Sequence, residues 1–317
     1  MEVSGFVTGA ATREAFGRAL RELGSEDPDL VVVDADLGNS TRTELFARAF
    51  PERSFNVGIA ESNLVGVAGG LAACGKKPWI ASFAVFLTAN AYDQLRMSIA
   101  LPHLNVKCVG THGGITPGED GPSQMGVEDI ALATALAGFH VFVPADAVQT
   151  RAVVRAAARI DGPVYIRCGR PSAPLVYPLG CDFRPGKAIR LRQGTDITLA
   201  TNGVMLALAL KAAWMLEEEG VSARVLDLAS VKPVDEDALE SAARETGALV
   251  VAEEHLSHGG LGSIVAQVLA RRCPVPVGFV NLGDTYARSG KPAELLEAYG
   301  LTAEDIAARA REVLRRK

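Results

Sequence analysis

Residues 57–71 read VGIAESNLVGVAGGL, a small and apolar run interrupted by one carboxylate, Glu61. An acid so placed has two physical uses. At the first turn of a helix it complements the helix dipole. Kept from water by apolar neighbours, it shares a proton with whatever it hydrogen-bonds. Further along, SFAVF places Phe83 and Phe86 at i, i+3, a spacing that by itself is ordinary core. The Gly-rich stretch THGGITPGEDGPSQMG contributes His112, Asp120 and Gln124, and an Asp between glycines is by type a turn residue. EEHLSHGGLGS holds His255 and His258, but its glycines lack the GxGxxG spacing of a dinucleotide site. The five cysteines (Cys74, Cys108, Cys168, Cys181, Cys273) are scattered, with no CxxC and no metal-ligand spacing.

The elements that must position these residues alternate between two periodicities. REAFGRALREL is a helix, and LVVVDADL is a short β-branched run ending in acids, as a buried parallel strand should be. SFNVGI predicts a strand, Glu61 a helix start, KPWIASFA a strand, and residues 86–101 one continuous helix. NVKCVGTH, FHVFVPAD and PVYIRCG are further strands, separated by helical segments. Residues 171–195 are rich in Pro and Gly and lack helical period, which places a domain boundary there. DITLATNG, SARVLDLASVKP, GALVVAEEH and PVGFVNLGD then build a second, smaller unit, closed by the amphipathic AEDIAARAREVLRRK. The expected fold is α/β with two domains, residues 1–180 and 190–317, each a mainly parallel sheet flanked by helices.

Composition agrees. A chain of 317 residues suits two domains of about 150, and 48% hydrophobic with 22% charged residues is a globular balance. A net charge of −5 argues against nucleic acid. No apolar run reaches the roughly 18 residues that span a bilayer, and the first residues, MEVSGFVTGAATREAF, do not read as a signal peptide. With dispersed, reduced cysteines, the expectation is a cytoplasmic protein that binds no membrane.

VGIAESN, SFAVF, THGGITPGEDGPSQ, VFVPAD and YIRCGRP occur here in the order found in transketolases, and resemble the pyrimidine-binding domain of those thiamine-diphosphate enzymes. DLASVKPVD and VVAEEHLSHGGLGS resemble their C-terminal domain. The GDG motif that opens the family's diphosphate- and Mg²⁺-binding domain is absent from the 317 residues. The resemblance therefore implies the C-terminal subunit of a split transketolase, needing an N-terminal diphosphate-binding partner subunit in an α2β2 heterotetramer. It implies thiamine diphosphate as cofactor, with Mg²⁺ bound mainly by the partner, and sugar phosphates as substrates.

By that resemblance Glu61 meets the ring nitrogen of the cofactor's aminopyrimidine, whose 4′-amino group then acts as base. Phe83 and Phe86 stack on the ring, worth about 0.5–1.5 kcal/mol beyond burial; Tyr92 is a third wall, although LTANAYDQ departs from family spacing by one residue. Asp36 falls near the cofactor and the subunit interface. Arg13, Ser40, His112 and Arg167 match positions that hold the substrate phosphate or line its channel, a sensible clamp for a tetrahedral anion. Asp120 matches the acid that reads a ketose hydroxyl. Gln124 stands where the family usually has a histidine, and Gln cannot titrate. Either the proton travels another way or the acceptor differs from an aldose phosphate. His255 and His258 are expected to be structural. Three enzyme rivals remain: a 2-oxoacid dehydrogenase beta subunit, a deoxyxylulose-phosphate synthase, and an enzyme passing its two-carbon unit to a lipoyl carrier. A regulatory module that kept the fold is the non-enzymatic rival.

Overall fold

The computed structural model describes residues 2–317. Its strands are β1 (Thr8–Ala11), β2 (Leu30–Asp34), β3 (Ser54–Asn56), β4 (Lys77–Phe83), β5 (Lys107–Thr111), β6 (His140–Phe142) and β7 (Val164–Arg167). After these come β8 (Ser172–Pro174), β9 (Ile189–Arg192), β10 (Ile197–Thr201), β11 (Ala223–Asp227), β12 (Ser230–Lys232), β13 (Leu249–Ala252) and β14 (Val277–Val280). Seven form one sheet in the order β12-β6-β7-β5-β4-β2-β3, parallel except at β12–β6. Five form a second in the order β14-β13-β10-β11-β9, parallel except at β11–β9.

The first sheet is parallel because its strands can be buried on both faces. In β2, Val32 points into the core shared with Phe16, Leu20 and Trp79, while Val33 enters the opposite one with Leu64, Ile80 and Cys108. Helices Thr12–Glu26 and Ala147–Ala157 cover the first face, and helix Glu61–Ala73 the second. That second core runs on without a break into Leu239, Val251, Leu261 and Val265 of the other sheet's layer. The two units therefore share apolar packing. They also exchange chain: β12, which follows β11 of the second sheet, pairs antiparallel with β6 at the edge of the first.

Strand order reverses at β2. The chain passes from β2 to β3 on one side, then through helix Glu61–Ala73 to β4 on the other. In an open α/β sheet such a reversal leaves a crevice beyond the carboxyl ends of the diverging strands. Here that places Asp34–Asp36 and Phe83 at one opening, with His112 after β5 and Gly169 and Arg170 after β7 beside it.

The expected helix over residues 86–101 departs from regular form. It consists of π-helical turns Phe86–Asn90 and Leu95–Ala100 around a single α turn, Tyr92–Gln94, and Ala91 breaks the first at φ −117° and ψ 18°. Wider turns of this kind concentrate at functional sites. Among the described residues no helix is long and apolar enough to cross a membrane.

Candidate active site

Glu61 is the first residue of helix Glu61–Ala73 and only 6% exposed. Its Oε1 accepts a hydrogen bond of 2.9 Å from the hydroxyl of Ser82 in β4. Its other oxygen takes no hydrogen bond among the described residues. Ser82 thus fixes the carboxylate and leaves its second oxygen unbonded among the described residues, at a helix N-terminus that favours negative charge.

The next residue, Phe83, ends β4. Its ring stacks on Phe86 at 5.5 Å and 13°, and on the imidazole of His112 at 3.7 Å and 22°. His112 has φ 59°, left-handed for a non-glycine residue, and so turns its ring back over Phe83. Asp36, at φ 64°, is strained in the same way at the end of β2 and accepts from Asn56 Nδ2 at 2.9 Å. Strained backbone past the ends of the two strands that flank β4 is a pattern of functional sites. Tyr92 is half-buried and packs on the core beneath, and among the described residues no ring contact joins it to the Phe pair.

A cationic cluster lies on the far side of His112. Arg13 donates to the carbonyl of Ser40 at 2.8 Å. Burial first, then the charges of Arg42 and Arg170, hold the Arg13 guanidinium below its usual range, against the pull of Glu14 and Asp120. Burial, assisted by Arg13 and Arg170, lowers the His112 pKa to about 3. His112 is therefore neutral near pH 7, with Nδ1 3.0 Å from the Thr111 hydroxyl. Arg170 donates to the carbonyl of Pro117 at 3.0 Å and its Nε lies 3.5 Å from Asp120. Gln124, half-buried, accepts from the Ser123 hydroxyl at 2.6 Å. Arg42 pairs with Glu14 at 2.9 Å and Arg170 with Glu119 and Asp120 at 3.6 and 3.5 Å, whereas Arg13 makes no ion pair among the described residues. A half-buried cation so placed favours a bound anion.

Arg167 is not part of that cluster. It is the last residue of β7, pairs with Asp129 at 2.7 Å, and donates to the carbonyls of Glu254 and Gly126. Burial works against its charge, and Asp129 with Glu254 and Tyr165 together more than offset it. Tyr165 completes the network, donating to Asp129 at 2.6 Å. A guanidinium only 6% exposed must be paired where it lies. Arg170, three residues on and past the strand end, faces the cluster instead. The signal was present in YIRCGRP: a loop position at the carboxyl edge of the sheet is where an α/β site lies.

Two family models match. The transketolase pyrimidine binding domain covers residues 8–175 and the transketolase C-terminal domain residues 186–306. The chain belongs to the transketolase family. It is 40% identical over 308 residues to a putative transketolase C-terminal section of Methanocaldococcus jannaschii, covering 96% of both chains. It is also 40% identical over 305 residues to a 6-deoxy-6-sulfo-D-fructose transketolase subunit of a Clostridium species, covering 96% of this chain and 95% of that one. A solved split-gene transketolase, described as an inactive beta4 tetramer, superposes with a TM-score of 0.89 at 51% identity, covering 97% of this chain and 99% of that one. This transketolase chain thus comprises the pyrimidine-binding and C-terminal domains of its family, in the order that the resemblance implies.

Proposed function

We propose that this chain is the C-terminal subunit of a two-component, thiamine-diphosphate-dependent transketolase, acting in the cytoplasm. It moves a two-carbon ketol unit from a ketose phosphate to an aldose-type acceptor. The observation that carries the reading is the continuity along the end of β4. Ser82 holds Glu61, Phe83 stacks on His112, and Arg13 and Arg170 lie within electrostatic reach of that imidazole. One crevice therefore offers a dry carboxylate, a flat apolar wall and an anion clamp in sequence.

Those residues fit an aminopyrimidine, which needs a carboxyl partner at a ring nitrogen and flat apolar cover. Thiamine diphosphate, when bound, supplies a nucleophilic carbon for the ketose carbonyl. Glu61 holds a proton at the ring nitrogen through its free oxygen, and Ser82 keeps it aimed. Phe83 and Phe86 orient the ring and exclude water, which strengthens the carboxyl contact. Asp36 borders the same crevice, towards the partner. Neutral His112 exchanges a hydrogen bond with a substrate oxygen through the nitrogen not engaged with Thr111. Arg13 and Arg170, with Ser40, grip the phosphate, while Asp120 reads a hydroxyl. Gln124 positions substrate oxygens without titrating, so proton movement there belongs to another group.

The 317 residues contain no GDG string, so diphosphate and Mg²⁺ are assigned to a diphosphate-binding partner subunit. Three further features support that assignment. A curated relative is named a transketolase subunit, and a solved relative is an inactive tetramer of beta chains. The outer face of helix Glu61–Ala73 also presents Gly66 and Gly70 with nothing within 4 Å of where a side chain would begin. Ile59, just before that helix, is exposed, as are Met97 and Leu101 in and after the Leu95–Ala100 turn packed on it. That smooth apolar face suits close docking of the partner in an α2β2 assembly. Co-purification with the diphosphate-binding chain, followed by a screen of ketose phosphates with thiamine diphosphate and Mg²⁺, tests the proposal. Ketol transfer supports it; decarboxylation of 2-oxoacids with no ketose cleavage overturns it.

A further inference from the structure

Three consecutive residues at the end of β13, Glu253, Glu254 and His255, are buried polar groups with no part in the chemistry above. Each fastens a different element. Glu253 accepts from the amides of Leu261 and Gly262 at 2.7 and 2.8 Å and so caps helix Leu261–Arg272. His255 Nε2 accepts from the Ala131 amide at 3.3 Å, in the first turn of helix Asp129–Ala135, while Nδ1 lies 2.8 Å from the Leu256 carbonyl. Glu254 reaches across to the first domain and accepts from the amides of Ile115 and Thr116 with one oxygen, at 2.6 and 2.7 Å.

Those two amides belong to the loop that carries Asp120 and Gln124. The loop is closed at its base by the pairing of Gly113 with Gly126, and the Glu254 carbonyl accepts from Arg167 at 2.9 Å. Gly114 lies between them at φ 78°, and a Cβ there would collide with the Glu254 carboxylate. The residue after Thr116 is Pro117, whose carbonyl holds Arg170. A short path of hydrogen bonds at either end and backbone from Ile115 to Pro117 between them therefore leads from Glu254 to the cation that faces the proposed phosphate.

We propose that Glu254 is a positioning residue: it pins the loop of residues 113–124 so that Arg170 and Asp120 meet the ketose phosphate, making the second domain part of the substrate site. This rests on the assignment of that cluster to ketose phosphate binding. Backbone amides collected on one buried carboxylate hold a loop more rigidly than neutral partners do, and an error of about 1 Å in a binding group costs on the order of 100-fold in rate.

The test uses the chain assembled with its diphosphate-binding partner, thiamine diphosphate and Mg²⁺. Glu254→Ala raises the ketose-phosphate KM by about 10- to 100-fold, leaves the thiamine diphosphate Kd unchanged, and accelerates amide exchange at Ile115 and Thr116. Glu254→Gln keeps an oxygen that can accept both amides and restores the KM to within about 3-fold of the unmodified enzyme. Glu253→Ala is the matched control. It also removes two carboxylate–amide bonds, but from a helix cap, and leaves the KM unchanged. Should Glu254→Ala not fold, Gly114→Ala displaces the loop from the other side and shows the same rise in KM. The inference is overturned if exchange accelerates while the KM holds, or if Glu253→Ala raises the KM as much as Glu254→Ala does. It also falls if Gly114→Ala leaves the KM unaltered. Failure of the unmodified assembly to cleave any ketose phosphate is a different result, which removes the functional reading itself.

Discussion

Two arginines three residues apart have opposite consequences when lost. Arg167 is buried against Asp129, so Arg167→Ala strands a carboxylate without its counter-charge and is expected to cost about 3–5 kcal/mol in denaturant unfolding. Arg170 is 35% exposed and paired only at longer range, so Arg170→Ala should change stability by less than about 1 kcal/mol while raising the ketose-phosphate KM. Glu61→Gln keeps the shape and removes the shared proton; in the assembled enzyme it should lower kcat by about 10²- to 10⁴-fold at unchanged melting temperature. His112 also ties the site to stability. Its folded pKa of about 3 lies below the unfolded value of 6.5, so the unfolded state binds the extra proton between those limits. Stability from this group is complete above pH 6.5 and is lost as pH falls, with a slope of up to about 1.4 kcal/mol per pH unit. Asp227 runs the other way, its pKa raised by burial to about 6, so its contribution shrinks as pH rises from 3.8 to 6. The His112 effect is therefore read as the difference between wild type and His112→Asn in unfolding titrations at pH 7 and pH 5, which should narrow at the lower pH.

At the scale of elements, helix Glu61–Ala73 has two sides with different tolerances. Gly66 faces open space, and in the isolated chain Gly66→Ala should stabilise by about 0.5–1 kcal/mol through helix propensity alone. A Cβ at Gly69 would lie 2.8 Å from the Ser98 carbonyl oxygen, so Gly69→Ala should destabilise by about 1–3 kcal/mol. On the proposed docking face, Gly66→Leu should leave the chain folded and abolish co-purification with the partner. The start of this helix was legible because a lone acid before an apolar run is a local signal, as were the β-branched strands around it. The interrupted helix over residues 86–101 was not. Its residues keep a helical apolar pattern, and a π turn shifts that period too little to be seen over so few residues. The placement of β12 on the first sheet was also hidden, since Ser-Val-Lys carries no mark of a partner strand more than eighty residues away. Arg167 and Arg170 illustrate the same limit: both belong to one recognisable motif, and only the strand's end separates the buried partner of Asp129 from the half-exposed cation proposed to meet the phosphate.

At the scale of the molecule, two sheets share a core, a strand of the second unit's chain pairs at the edge of the first sheet, and the loop after β5 is held by Glu254 of the second unit. The family's pattern likewise extends through both domains, whereas the proposed reactive residues lie in the first. On the proposed reading this arrangement defines what a partner must add, because Glu61 and its aromatic wall are assigned to the ring of the cofactor alone. The most direct measurement is ketose-phosphate cleavage, with thiamine diphosphate and Mg²⁺ present, by this chain alone, by its mixture with the diphosphate-binding subunit, and by the mixture carrying Glu61→Gln. The account predicts turnover only in the second. Turnover by the chain alone, or full turnover with Glu61→Gln, would contradict it.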